Sequence, residues 1–452
     1  TRRDFGDTDY LVADPSSLTV LGQGLESPNI GVVLYSLDLL EAIDPDAFPA
    51  YLPDLLEHHT PEVRLDVLRR IERLELSSAL PIIRDRFKYE GSAEVRGQTL
   101  RTMAVLGGSD LFDEIYDYLD DPDPRLRKGV MVGMLRSGEF EGIVAAAARL
   151  TSDAKSANPS ERIFAAQVLG ESGMPGFYRP LLNLLHDENY YVQQAALVAA
   201  GKVHQPKLWP AVTDALASKS LRAMAVSTLA AADEAALPNL EAAMTKTGQD
   251  HEVLIRLAQI LGRIGGTRAV AILQNQLDYP NELVRTHILL ALNKCGYQSE
   301  PEAVTDIEEE IKAELAQATW VAATLGDLGK TETTLLLRSS LTQQLNRHRL
   351  RVVLLLSFIY NPRAVKRVQE TLGIGMSPTG AGSSTSAEAG QQKAYALETI
   401  DVLLPSNQKA MVLSLVEGVP PDELLQRLKS HFSQESKSCE ARLLEIITEQ
   451  NT

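Results

Sequence analysis

TPEVR (60–64), SAEVR (92–96), DPRLR (123–127) and NELVR (281–285) share one pattern: a polar or turn residue opens, and an aliphatic residue followed by arginine closes. Looser copies end at Arg162, Gln193, Arg222 and Arg256, so successive endings lie 32, 31, 35, 31, 29, 34 and 29 residues apart. A step held seven times marks a repeat array. In such an array each small unit buries its apolar face only against its neighbours.

Two further markers recur out of phase with the first. Proline stands inside leucine-rich helical pattern at Pro53, Pro81, Pro180, Pro210 and Pro238, at steps of 28, 99, 30 and 28. An interior proline removes a backbone hydrogen bond and bends a helix, so its return at one phase predicts a kinked first helix in each unit. Leu106-Gly107, Leu169-Gly170, Ala200-Gly201, Leu261-Gly262 and Leu325-Gly326 close the units. Glycine there either ends a helix or lets two helices approach closely. Each repeat therefore reads as helix A, a tight turn, and helix B opening near the aliphatic–basic pair.

Composition agrees with close-packed helices. Of 452 residues 44% are hydrophobic but only 5% aromatic, a balance rich in alanine and leucine rather than in strand formers. The formal net charge of −16 disfavours nucleic acid as a partner, because phosphate binding needs basic surface. Two cysteines, Cys295 and Cys439, are too few for a disulfide framework or a four-ligand metal site, and are expected as free thiols of a reducing, cytosolic-type compartment. The longest apolar run, 350–360, contains Arg351 and is far shorter than the roughly 20 residues of a membrane span. Residue 1 is Thr rather than Met, so the chain is expected to be a segment of something longer.

The kinking proline of helix A and the aliphatic–Arg pair of helix B resemble HEAT repeats of the short bacterial variety, which includes the phycobilisome-lyase-like repeats. The resemblance covers about residues 15–300 and implies an all-α solenoid of antiparallel helix pairs, following a lead-in of 1–14. It also implies that Arg64, Arg96, Arg127 and Arg285 pair with acidic residues of adjacent repeats, with Asp121, Asp123, Asp187 and Asp278 near the appropriate turns.

Beyond residue 300 the pattern loosens. Longer helices are expected over 301–372, a flexible small-residue linker over 373–392, and further helical repeats over 393–452. The succession HRLRVVLLLSFIYNPRAVKRV (348–368), a loop, then KAYALETIDVLL (393–404) resembles the cytosolic HEAT module of bacterial membrane proteins that carry a nucleotide-translocase-like domain. That resemblance implies the soluble part of a transport protein, cytoplasmic and tethered to the inner face of a membrane.

Residues 333–369 hold Arg338, Arg347, Arg349, Arg351, Arg363, Lys366 and Arg367 and no acidic residue. One reading is a solvated face paired with the glutamates at 308–310, its arginine stems covering apolar surface. The other is a contact surface for an anionic partner, formed by Arg338, Arg347, Arg349, Arg363, Lys366 and Arg367. A partner protein, an anionic membrane surface or a membrane domain of the same polypeptide would suit it.

No catalytic set emerges. GDLGKT (326–331) lacks the first glycine of a phosphate-binding loop, and GIGMSPTG (373–380) has Pro378 where the dinucleotide fingerprint needs its third glycine. Deoxyhypusine hydroxylases, which are HEAT-like, hold two irons through repeated His-Glu pairs; here His251-Glu252 stands alone, and His58-His59 has no partner at repeat spacing. Trp209 and Trp320 are read as packing residues. The expected function is a non-enzymatic interaction scaffold without cofactor or metal; a bilin-lyase-like enzyme and a free-standing adaptor are the alternatives.

Overall fold

The computed structural model describes residues 15–329, 331–375 and 386–449. The lead-in 1–14 lies outside them, as do residues 376–385 of the expected linker. The protein is 79% helical, and no strand occurs among the described residues. By contact it divides into two compact units, residues 1–235 and 236–452.

The first unit is a stack of A–B pairs: Pro15–Leu25 with Ile30–Ile43 (α1, α2), Phe48–Leu56 with Pro61–Arg73 (α3, α4), Leu80–Phe87 with Ala93–Gly107 (α5, α6), and Phe112–Ile115 with Pro124–Arg136 (α7, α8). Phe140–Ala154 with Pro159–Ser172 (α9, α10), Tyr178–Leu185 with Tyr190–Val203 (α11, α12), and Trp209–Asp214 with Arg222–Ala231 (α13, α14) complete it. The B helices α4, α6, α8, α10, α12 and α14 pack each on the next.

The recurring short motif is a helix start. In most copies its polar residue is an N-cap whose side chain accepts a backbone N–H that the helix leaves unpaired: Asp123 from Arg125 at 2.9 Å, Asn158 from Ser160 at 3.0 Å and Asn189 from Tyr191 at 2.9 Å, whereas Thr60 makes no such bond. The aliphatic residue enters the core, where Val63, Val95, Leu126 and Val192 are fully buried. Each such burial contributes about 1.5–3 kcal/mol.

The prolines act differently from the expected kink. Pro81, Pro210 and Pro238 lie in the first turns of their helices, and Pro180 is the third residue of α11; only Pro53 is interior. Short 3-10 turns, Ser77–Ala79, Pro175–Phe177 and Pro206–Leu208, lead into α5, α11 and α13. Proline there loses no hydrogen bond, since first-turn amides have no partner within the helix. Its phase marks a 3-10 to α junction, and in α3 the equivalent residue is Pro49 rather than Pro53.

Glycine serves close approach. A Cβ on Gly129 would meet the Gly97 carbonyl oxygen at 1.9 Å, and one on Gly97 would meet the Arg125 carbonyl oxygen at 2.5 Å. The backbones of α6 and α8 therefore touch. Gly170 faces the Ala199 backbone in the same way, its Cβ 2.8 Å from that Cα. None of these ends a helix.

The second unit continues with Leu237–Met244 and His251–Ile264 (α15, α16), Gly266–Gln274 and Glu282–Lys294 (α17, α18), then two long helices, Val304–Asp327 (α19) and Leu335–Ile359 (α20). Pro362–Thr371 (α21), Ser386–Leu403 (α22), Ser406–Val416 (α23), Pro421–Leu428 (α24) and Cys439–Glu449 (α25) follow. Residues 386–392, expected as linker, already belong to α22. The apolar run 350–360 is the packed half of α20, which lies against α18 and α19. No described helix is long and apolar enough to cross a membrane. Trp320 and Leu443 pack on the Val321, Leu325, Leu328 and Leu341 cluster, and Arg442 pairs with Asp327 at 2.7 Å to hold α25 on α19.

Gly129→Ala should lower stability by about 2 kcal/mol through overpacking, read from urea melts followed by circular dichroism. Gly176→Ala, whose Cβ meets nothing within 4 Å, should stay within about 0.5 kcal/mol of the parent. Equal tolerance at both positions would contradict the α6–α8 contact.

Candidate interaction surface

The repeat arginines are structural. Arg64 donates backward to the His58 carbonyl and forward to Glu90, at 2.8 and 2.7 Å. Arg162 repeats the arrangement with the Ser156 carbonyl and Asp187, and Arg222 donates to the Leu216 carbonyl at 2.8 Å. Each backward bond satisfies a carbonyl left over at the end of helix A; each forward bond reaches the next repeat's turn. Arg127 pairs with Glu161 at 2.9 Å and lies over the Phe164 ring, Arg285 reaches Glu314 at 3.3 Å, and Arg96 stacks over Phe87. Of the aspartates at the turns, Asp187 takes this part. Asp123 instead caps α8 and pairs with Arg125, while Asp121 accepts the Asp123 amide.

The basic segment of the second unit separates into two groups. Arg338 donates to the carbonyls of Leu325 and Gly329, closing the end of α19. Arg349 donates to the Val416 carbonyl, and burial pushes its guanidinium down to about 10. Both guanidiniums are therefore engaged by carbonyls of their own unit, although each remains half-buried rather than enclosed. Arg347 is half-buried and lines a cavity of about 710 Å³ with Thr342, Gln343, Asn346 and Arg349. Arg363, Lys366 and Arg367 are exposed on α21. Their spacing places them on one face. The nearest carboxylate to Lys366 is Glu370 at 3.9 Å, too loose to neutralise the stripe.

Arg351 is completely buried. Its Nε donates to Glu314 Oε1 at 2.8 Å, and Nη1 donates to the Thr286 hydroxyl at 3.2 Å. His348 Nδ1 lies 2.6 Å from Glu314 Oε2. The glutamates at 308–310 are not the main compensation for this segment; Glu314, at 2% side-chain exposure, is. Burial alone would raise its pKa. The His348 hydrogen bond and the Arg351 charge overcome that and hold it below the usual value of 4.5.

A second surface lies on the B helices of the first unit, and nothing in the sequence reading pointed to it. A cavity of about 540 Å³ over α4, α6 and α8 is lined by Arg69, Arg101, Arg125, Lys128 and Lys202 against Glu94 and Glu171. The signal was present in columns: residues on one face of successive B helices, such as Glu94, Arg125 and Tyr191, stand one or two repeats apart and never adjoin in sequence.

His58 accepts the Thr60 amide at 3.1 Å and so acts as a turn cap, while His251 lies edge-on to Tyr279. Among the described residues no three His, Cys, Asp or Glu side chains are grouped to hold a metal. Trp209 is fully buried, and Trp320 is partly buried against the Val321 and Leu325 cluster, its Nε1 donating to Glu445 at 3.3 Å.

Short antiparallel helix pairs, each packed on the next and tied turn to turn by arginine, define an all-α solenoid. Residues 147–230 and 209–293 match the family model described as HEAT repeats, within a chain that is an all-α solenoid. No curated protein matches the chain. Among solved structures, human deoxyhypusine hydroxylase in complex with glycerol aligns over 62% of this chain and 96% of its own, at 19% identity and a TM-score of 0.30.

Glu314→Gln should destabilise the second unit by about 3 kcal/mol, because it leaves the buried Arg351 guanidinium only one carboxylate, the longer contact to Glu282 at 3.6 Å. In the parent, a carboxyl whose folded pKa is depressed adds stability above its unfolded pKa of 4.5, and that stability fades as pH falls through the lower folded value. Melts recorded between pH 7 and pH 3 should show this acid loss in the parent and a weaker one in the variant.

Proposed function

We propose that this chain is a non-catalytic interaction scaffold whose second unit meets an anionic surface through the stripe Arg363, Lys366 and Arg367. The observation that carries the reading is their joint exposure on one face of α21, where three cations face a single carboxylate, Glu370, at 3.9 Å from Lys366. Every other cation of the segment except Arg347 is committed to a carbonyl or a buried carboxylate, so α21 is where the charge reaches solvent.

The finer reading is the soluble part of a larger bacterial membrane transport protein, held at the cytoplasmic face of the membrane. Its support is the run 348–368, whose α20 half packs inside the unit while its α21 half turns three cations outward. Each exposed cation would contribute about 1 kcal/mol to attraction by an anionic bilayer, weakening with salt.

The triple variant Arg363→Ala, Lys366→Ala, Arg367→Ala should bind phosphatidylglycerol vesicles roughly a hundredfold more weakly than the parent at low salt. Its melting temperature should be nearly unchanged, since exposed charges add little stability. A drop of several degrees, or undiminished binding, would defeat the proposal.

A further inference from the structure

The B-helix face of the first unit changes chemistry along its length. Over α4, α6 and α8 it is cationic: five basic residues meet two acidic ones in a chain whose net charge is −16. Lys128 is paired with Glu171 at 2.9 Å, Arg101 with Glu72 at 2.9 Å and Arg125 with Asp123 at 2.8 Å. Arg69 and Lys202 are exposed and have no ion-pair partner among the described residues. Across α10, α12 and α14 the same face becomes apolar. There a groove of about 350 Å³ is lined by Ile163, Ala166, Tyr191, Ala195, Val198 and Met224. Tyr191 is 65% exposed and Val198 46%. Seven residues apart on α12, they share one side of the helix with Lys202. Glu171 and Lys202 border both the groove and the cationic cavity, so the two are continuous.

We infer that this face binds a segment of a partner protein carrying apolar side chains beside a cluster of acidic residues. The apolar side chains seat against Tyr191, Val198 and Met224, and the carboxylates lie toward Lys202 and Arg69. The charge arrangement chooses this occupant. Unpaired cations attract carboxylates and repel a basic segment, and the high net negative charge sets two copies of this chain against each other. A nucleic acid would need positive charge along the whole face, whereas half of it is apolar. The exposed tyrosine supplies large, rigid contact area of the kind that anchors interfaces. The inference extends the scaffold reading to different residues in the other unit, so the α21 stripe and this face stand or fall separately.

A random peptide library displayed on phage and selected on the full chain tests it, with the enriched peptides then synthesised and measured by fluorescence anisotropy. Enriched sequences should share one or two large apolar residues beside Asp or Glu. Val198→Asp and the double variant Arg69→Glu, Lys202→Glu should each weaken the best peptide by about tenfold or more, with helicity unchanged by circular dichroism. The α21 triple variant should bind it as the parent does. Enrichment of basic peptides, no enrichment, or binding by either groove variant as tight as the parent's would overturn the inference. So would displacement of the peptide by a single-stranded oligonucleotide, or a dimer of the chain that Val198→Asp dissolves.

Discussion

One side chain, three or four positions into helix B, carries the connection between repeats. Arg64 and Arg162 each hold two ends at once: a carbonyl at the close of their own helix A and a carboxylate in the following turn. The carboxylate is shared again, because Glu90 accepts the Ser92 amide and Asp187 the Asn189 amide. One guanidinium thus closes its own turn and orders the next. Guanidinium suits this work, since its fixed planar fork reaches two acceptors in different directions, whereas a lysine would bring a compact point charge without that geometry. The rest of the packing, including the core positions of Val63 and Val192, depends on turns set at a constant height by this link.

The fold was legible in the sequence because its determinants are local and repeated. The N-cap, the buried aliphatic residue and the arginine lie within five residues of one another, and the array repeats them. The proline was misjudged for the opposite reason. Whether Pro81 bends a helix or begins one depends on where the helix starts, and the start is decided by the 3-10 turn of Ser77–Ala79, which has no strong sequence mark. The glycines left two meanings open, and both occur: Gly107 ends α6, while Gly170 and Gly262 serve close packing against Ala199 and Ala291.

The candidate surfaces were legible only in part. A run of seven cations looks uncompensated when the chain is read along its length, but Arg351 finds Glu314 across two packed helices. Arg338 and Arg349 find carbonyls rather than carboxylates, a kind of partner that charge counting cannot see. What survives as free charge is the part on a short helix with one buried side, Val365 and Val368, and one open side. The face on the first unit was invisible because its residues belong to six helices.

Contact between α6 and α8 has a mechanical consequence. A stack of helix pairs is elastic to the extent that neighbouring B helices can slide or tilt, and side chains that rearrange act as the bearings. Between Gly97 and Gly129 there are none, and backbone meets backbone. At Gly201 the nearest neighbour is the Thr228 methyl, 3.3 Å from where a Cβ would stand, so side-chain atoms rather than backbone separate α12 from α14. The first unit therefore has a stiff waist at α6–α8 and a compliant end at α12–α14. Strain applied to it is absorbed between α12 and α14, where Met224 borders the apolar groove, while α6 and α8 keep their geometry.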